Sequence, residues 1–286
     1  MEKYKGIDVS KWQGDIDWAK VKADGVQFAM LCCGTGANSG SKDKFFEQNY
    51  KQARENGIFL GAYYYTYAKT VDQAKRDADN VLEWIKGKKF EYPIVFDIED
   101  STQANLGKTK ISAIIKAFCE KIEKAGYYVM VYANKDWLEN RIDEDVNTKY
   151  DIWLAQWAET PTYKGNYGVW QYTSKGKVDG ISGNVDMDIS YKNYPAIMKA
   201  NGLNGYSKNT AQTTKPPVAP TPSKYFKKYT GESVSIVDAL KLIGVNSTFA
   251  YRKQIAKANG IKSYLGTPSQ NTNLLNLLKN GKLLKP

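Results

Sequence analysis

The sequence predicts an α/β protein: a (β/α) barrel of eight strands whose second half lacks helices, followed by a small three-helix C-terminal domain. Three observations carry that prediction. Over residues 1–206, short β-branched and aromatic runs alternate with helix-period segments, the pattern of βα units around a parallel sheet. The helical segments separate the first five strands and nearly vanish after them. At 207 the composition shifts to Pro, Thr, Ser and Lys, and beyond 224 only helical patterns remain.

In chain order, strands are expected at KGIDVS (5–10), VQFAMLCC (26–33), IFLGAYYYTY (58–67), YPIVFDIE (92–99), YYVMVYAN (127–134), DIWLAQW (151–157), GVWQYT (168–173) and NVDMDIS (184–190). Amphipathic helices fit at 17–25, 45–57, 70–87 and 108–126, several closed by a Gly suited to a left-handed C-cap. After the fifth strand there is room for one short helix, KDWLENRI (135–142). An open doubly wound sheet is the competing architecture.

Residues 207–224 hold four prolines among Thr, Ser and Lys, a composition that buries no core and reads as a linker. Residues 225–286 carry three helix patterns, 235–244, 247–260 and 267–281. The last opens with Thr267, Pro268 and Gln270, the signature of a capping box with Pro at N1. From Ser207 onward there are thirteen Lys/Arg and two acids, 13 − 2 = +11, which is the whole net charge of the chain. The remaining 28 basic and 28 acidic residues cancel over 1–206, so the two parts are built to meet different surfaces.

The chain contains no histidine. That excludes Ser-His-Asp and Cys-His hydrolysis, His-based zinc and any imidazole acid or base. Three cysteines, Cys32, Cys33 and Cys119, give neither a disulfide framework nor a four-thiolate site and read as buried thiols. No phosphate-cradling glycine loop or calcium-loop spacing occurs, so neither a cofactor nor a metal is expected. No apolar run reaches the roughly 20 residues of a membrane span, and MEKYKGIDVS lacks the apolar core of a signal peptide.

An enzyme of this composition works with carboxylates. YPIVFDIED (92–100) ends a strand in three of them, and residues two apart on a strand share a face, so Asp97 and Glu99 project together while Asp100 points elsewhere. A close acid pair suits glycoside cleavage: one carboxyl held protonated for the leaving oxygen, its neighbour ionised against the positive charge. Asp8 ends the first strand and Asp186 and Asp188 lie in the last; closing a barrel makes those strands neighbours. The plain alternative is that strand-end Asp residues cap turns, Asp8 above all. Of the aromatic residues near strand ends (Tyr63, Tyr64, Tyr65, Tyr67, Tyr132, Trp153, Trp157, Trp170 and Tyr172), most are expected to pack the sheet, with Tyr63 and Tyr132 facing a sugar.

In this order, GIDVSKWQGDIDW, GAYYYTYA, YPIVFDIED, IWLAQW, VWQYTSKG and GNVDMDI resemble glycoside hydrolase family 25, the Chalaropsis-type lysozymes, over about residues 1–200. The resemblance implies a partly helix-depleted barrel that hydrolyses the β-1,4 bond between N-acetylmuramic acid and N-acetylglucosamine in peptidoglycan. It makes Glu99 the general acid/base, Asp97 the group that orients or stabilises the reacting sugar, and Asp8 and Asp186 supporting acids. Tyr63, Tyr132, Trp153 and Gln171 become substrate-binding residues. One departure is Tyr64, where the family often has His. The tail resembles the short wall-binding modules of clostridial phage lysins, which implies anionic wall polymers as its partner rather than nucleic acid. The resulting expectation is a phage endolysin held in the host cytoplasm until a separate membrane lesion releases it to the wall. A bacterial autolysin, a chitin-type glycosidase and a non-catalytic wall binder are the alternatives. An internal start at Met198 would yield a free linker and module able to pair with the full chain, a route to self-association through the C-terminal domain.

Overall fold

The computed structural model describes residues 3–207 and 224–286; the expected linker lies almost wholly outside the described residues. The chain divides into two compact units, Met1–Asn209 and Thr210–Pro286.

The first unit is a closed barrel. Its strands are β1 (Tyr4–Val9), β2 (Phe28–Thr35), β4 (Phe59–Tyr65), β5 (Ile94–Asp97), β6 (Val129–Asn134), β7 (Asp151–Ala155), β8 (Val169–Gly176) and β9 (Val185–Ser190), with a two-residue β3 (Ser41–Lys42) on the outer side of β2. All eight expected strands are present, and pairing of β1 with both β2 and β9 rules out the open doubly wound sheet. From β1 through β8 neighbouring barrel strands are parallel, whereas β9 runs antiparallel to both β8 and β1.

Helices α1 (Trp18–Ala23), α2 (Phe46–Glu55), α3 (Val71–Ile85) and α4 (Lys108–Lys124) occupy the expected places. The second half holds more helix than the sequence reading allowed: a π-turn at Trp137–Arg141, then α5 (Glu144–Lys149) and, after β9, α6 (Tyr194–Asn201). Both extra helices are short and their apolar periods barely repeat, although α6 carries an Asn193 cap, Pro195 in its first turn and a left-handed Gly202 at its end.

Two cores follow from period-2 alternation. Outward side chains such as Ile94, Phe96, Val131, Ile152 and Leu154 pack with the helices. Inward ones, including Phe28, Met30, Val95, Met130, Tyr132, Trp153 and Val169, fill the barrel. Burial on both faces explains why these strands read as continuous apolar runs. Phe28 and Tyr92 stack at 4.2 Å inside the barrel, and two glycines make the room. A Cβ on Gly6 would meet the Phe28 ring at 2.2 Å, and one on Gly61 would meet Met30 at 2.6 Å. At the end where the parallel strands begin, Tyr194 and Met198 of α6 join this inner cluster and close it.

The second unit consists of α7 (Ile236–Leu242), α8 (Phe249–Ala258) and α9 (Pro268–Lys279), packed around Leu240, Ile255, Leu274 and Leu278. Ser235 caps α7, Thr248 caps α8 and the Thr267–Gln270 capping box starts α9, the last as the sequence predicts. The ends are tied by an antiparallel bridge between Tyr225 and Leu284. Among the described residues no helix is long and apolar enough to cross a membrane.

Candidate active site

At the end where the parallel strands finish lies an open cleft of about 550 Å³, the place where a barrel's strand-end loops assemble catalytic groups. Asp8, Asp97, Glu99, Asp186, Tyr63, Tyr132, Trp153 and Gln171 all line it, so the eight residues given a catalytic or substrate-binding part from the sequence come together there. The reversed strand is what makes this possible for Asp186. It stands near the start of β9, and because β9 runs the other way that start is at the mouth, opposite Asp8 in register.

β5 ends at Asp97, but Ile98 N still donates to Tyr132 O (3.2 Å), which extends the ladder far enough to aim Glu99 into the same cleft. Asp100 turns away, accepting from Thr102 N at 2.9 Å and from Tyr65 OH at 3.1 Å, as a cap. Asp8 is no cap: it is buried, and Ser10 performs that function for the following turn.

A single amide fixes much of the floor. Gln171 Oε1 accepts from Tyr132 OH (3.0 Å) and from Trp157 Nε1 (3.0 Å), which leaves its Nε2 to donate to Asp8 Oδ2 at 2.8 Å. Two donors on one oxygen determine which way the amide faces. Trp153 is fixed separately, by edge contact with Tyr132 (4.7 Å) and by donating Nε1–H to Asp188 Oδ1 at 2.8 Å.

The acids are held in an environment hostile to their charges. Burial pushes Asp97 well above the usual carboxylate range, and Glu99 beside it adds to the effect. Burial, then Asp186 and Asp100, pushes Glu99 up to about 6. Asp8 is raised by burial and by Asp188 and Asp186; Asp188 and Asp186 are raised chiefly by burial. For Asp97 the buried Oδ1 has no hydrogen-bond partner among the described residues to offset this. Such a site keeps a proton near neutral pH and has an oxygen waiting for a donor, which is the equipment of acid-catalysed bond cleavage.

The structure also corrects the reading of the aromatics. Six of the nine, Tyr63, Tyr65, Tyr67, Tyr132, Trp153 and Trp157, line the cleft instead of the expected three, Tyr63, Tyr132 and Trp153, and Trp12 joins them. Tyr64 points outward, buried against the helices with its hydroxyl donating to Asp77 Oδ1 (2.9 Å), so the family position it replaces lies outside the cleft. Cys33 and Cys119 are core thiols as expected, whereas Cys32 lines the cleft. The period-2 rule that paired Asp97 with Glu99 also puts Tyr65 and Tyr67 on the side of Tyr63; applied evenly, it finds those two of the missed residues.

Fold and site together define a carboxylate-dependent hydrolase built on a barrel. Residues 7–181 match the model for Glycosyl hydrolases family 25, more than half of the chain. The chain belongs to that family and is a glycoside hydrolase of the lysozyme type. It is 31% identical over 196 residues to Lysozyme M1 of Streptomyces globisporus, covering 64% of this chain and 66% of that one. The bacterial lysozyme structure from Streptomyces coelicolor superposes with a TM-score of 0.60 at 28% identity, over 74% of this chain and 100% of that one. The CTP1L endolysin does so with a TM-score of 0.61 at 26% identity, over 70% of each.

Proposed function

We propose that the protein is a phage endolysin that cuts the β-1,4 bond between N-acetylmuramic acid and N-acetylglucosamine in the peptidoglycan of a Gram-positive, clostridial host and so lyses the cell. The observation that carries this reading is the pairing of Glu99, raised to about 6, with the deeper Asp97, whose free oxygen has no donor among the described residues. An N-acetyl sugar brings that donor. When its acetamido N–H donates to Asp97, the charged form of Asp97 is stabilised and the proton of the pair settles on Glu99. Glu99 then delivers it to the leaving oxygen while the acetamido oxygen, oriented by Asp97, attacks the anomeric carbon. Water, deprotonated by Glu99, opens the resulting ring, with net retention.

The basic C-terminal module would hold the enzyme on anionic wall polymers, raising its local concentration at the substrate. Synthesis in the host cytoplasm with release through a separate membrane lesion, and self-association through that module, belong to the same proposal. The test is turbidity loss of purified clostridial walls with wild type and Glu99→Gln, followed by mass spectrometry. Fragments with reducing muramic-acid ends from wild type alone support the reading; no cutting by either protein would sink it. Product anomers by NMR decide the route, and inversion removes acetamido participation.

A further inference from the structure

Between β1 and α1 the chain forms a short 3-10 turn, Lys11–Gln13, that sits on the rim of the cleft. It is pinned on three sides. Ser10 and Gln13 close a capping box, Lys11 N donates to Asp43 Oδ2 at 2.8 Å, and Gly14 leaves the turn with φ +62, a conformation open to glycine. On this rigid support Trp12 stands 80% exposed, with the Lys11 ammonium 5.1 Å from the centre of its ring. Exposing an indole costs burial energy that a fixed backbone does not explain, and a cation over its face gives the pair one apolar surface and one positive charge.

The charge pattern of the cleft gives the pair a meaning. Lys11 and Lys42 are the cationic side chains of the lining, while Asp8, Asp43, Asp97, Glu99 and Asp186 supply negative charge. Lys42 is paired with Glu47. The Lys11 ammonium makes no ion pair with any described residue. An anionic group on a substrate is repelled by the floor and attracted only at this rim. In peptide-bearing glycan the lactyl carboxyl of muramic acid is consumed as an amide, so the sugar backbone itself is uncharged and Lys11 has nothing to bind along it. The stem peptide that branches from the muramic acid lactyl group carries carboxylates beside alanine methyl groups.

We propose that Lys11 and Trp12 form a subsite for that acidic stem peptide, the indole packing on its apolar side chains and the ammonium pairing with its carboxylate. The proposal rests on the muramidase reading above and specifies which part of the wall polymer selects the enzyme.

The experiment uses the full chain and two substrates: peptide-bearing glycan strands, and the same strands stripped of stem peptides by an amidase. Lys11→Ala and Trp12→Ala should each raise KM on peptide-bearing strands about fivefold with kcat unchanged, and leave stripped strands unaffected; added salt should shrink the Lys11 effect. Equal KM changes on both substrates would make the pair a platform for sugar or for the lactyl carboxylate, and no change on either would make it inert; both overturn the proposal. A binding measurement separates this from failure of the muramidase reading. By calorimetry, Glu99→Gln should bind the disaccharide carrying L-alanyl-D-glutamate more tightly than the bare disaccharide, and addition of Lys11→Ala should abolish that difference. Equal affinities for the two ligands overturn the subsite whether or not wild type cleaves walls.

Discussion

The two ends of the barrel treat buried acids in opposite ways. At the closed end Glu91, 4% exposed, accepts from Arg54 Nη1 (3.0 Å), Leu60 N (3.1 Å) and Tyr206 OH, and Asp151 accepts from Tyr128 OH, Tyr194 OH and Lys192. Asn204 nearby uses its side chain twice, donating to Tyr92 O and accepting from Tyr128 N. At the mouth, among the described residues, Asp97 keeps a buried oxygen without a partner, and no Lys or Arg reaches Asp8, Asp97, Glu99 or Asp186 as an ion pair. Satisfied acids join the ends of strands; the unsatisfied one in the cleft is held ready for a ligand. The contrast separates structural from functional carboxylates without reference to any relative.

Breaking the mouth should cost activity and spare the fold. Glu99→Gln is expected to lower kcat on wall material by roughly 10²–10⁴-fold, measured by release of reducing ends. It should also stabilise the protein above pH 6. Glu99 titrates at about 6 when folded against an ordinary value of 4.5, so the folded state binds more protons between those values and its stability falls as pH rises through that window. Above it the ionised group costs on the order of 2 kcal/mol, and the variant should melt a few degrees higher there and no higher at pH 4. The same titration sets the alkaline limb of kcat/KM near pH 6; a limb governed by an acid above pH 8 would contradict the assignment of Glu99.

Breaking the closed end should do the reverse. Arg54→Met leaves Glu91 without its cation and should cost on the order of 3 kcal/mol in urea unfolding, with kcat per folded molecule unchanged. Smaller effects sharpen the comparison inside the mouth. Tyr132→Phe removes one of the two donors that orient Gln171 and should cost about 1 kcal/mol in transition-state binding, a several-fold drop in kcat/KM. Asp188→Asn is the mildest: it keeps an acceptor for Trp153 and imitates a protonated acid, so activity should stay within about threefold of wild type while thermal stability rises. A large loss of activity would show that the charge of Asp188 is used.

Much of this was legible in the letters because strands buried on both faces advertise themselves, and because YPIVFDIED places its acids where a barrel uses them. What escaped has physical reasons. The direction of β9 leaves no trace in a period-2 pattern, which reads the same from either end. Helices α5 and α6 are too short to establish a period. The cleft aromatics were undercounted since inward and outward positions alternate, and a run such as Tyr63–Tyr65 needs the register of its neighbours before each ring can be assigned to a side. The hydrogen bonds of Gln171 join residues from β1, β6 and the segment after β7, a convergence that only the closed sheet brings about.

The reversal of β9 also decides where the chain exits. Had the eighth strand been parallel, the polypeptide would finish among the loops of the mouth. Instead it runs away from the cleft, passes through α6 beneath the barrel, and Tyr206 fastens to Glu91 at the far end. Residue 207, where the described part of the barrel unit stops, therefore belongs to the end opposite the cleft. For engineering, this makes the carboxyl end of the barrel an attachment point on the opposite end of the barrel from the catalytic carboxylates, where a fused partner begins without touching the strand ends that build the cleft.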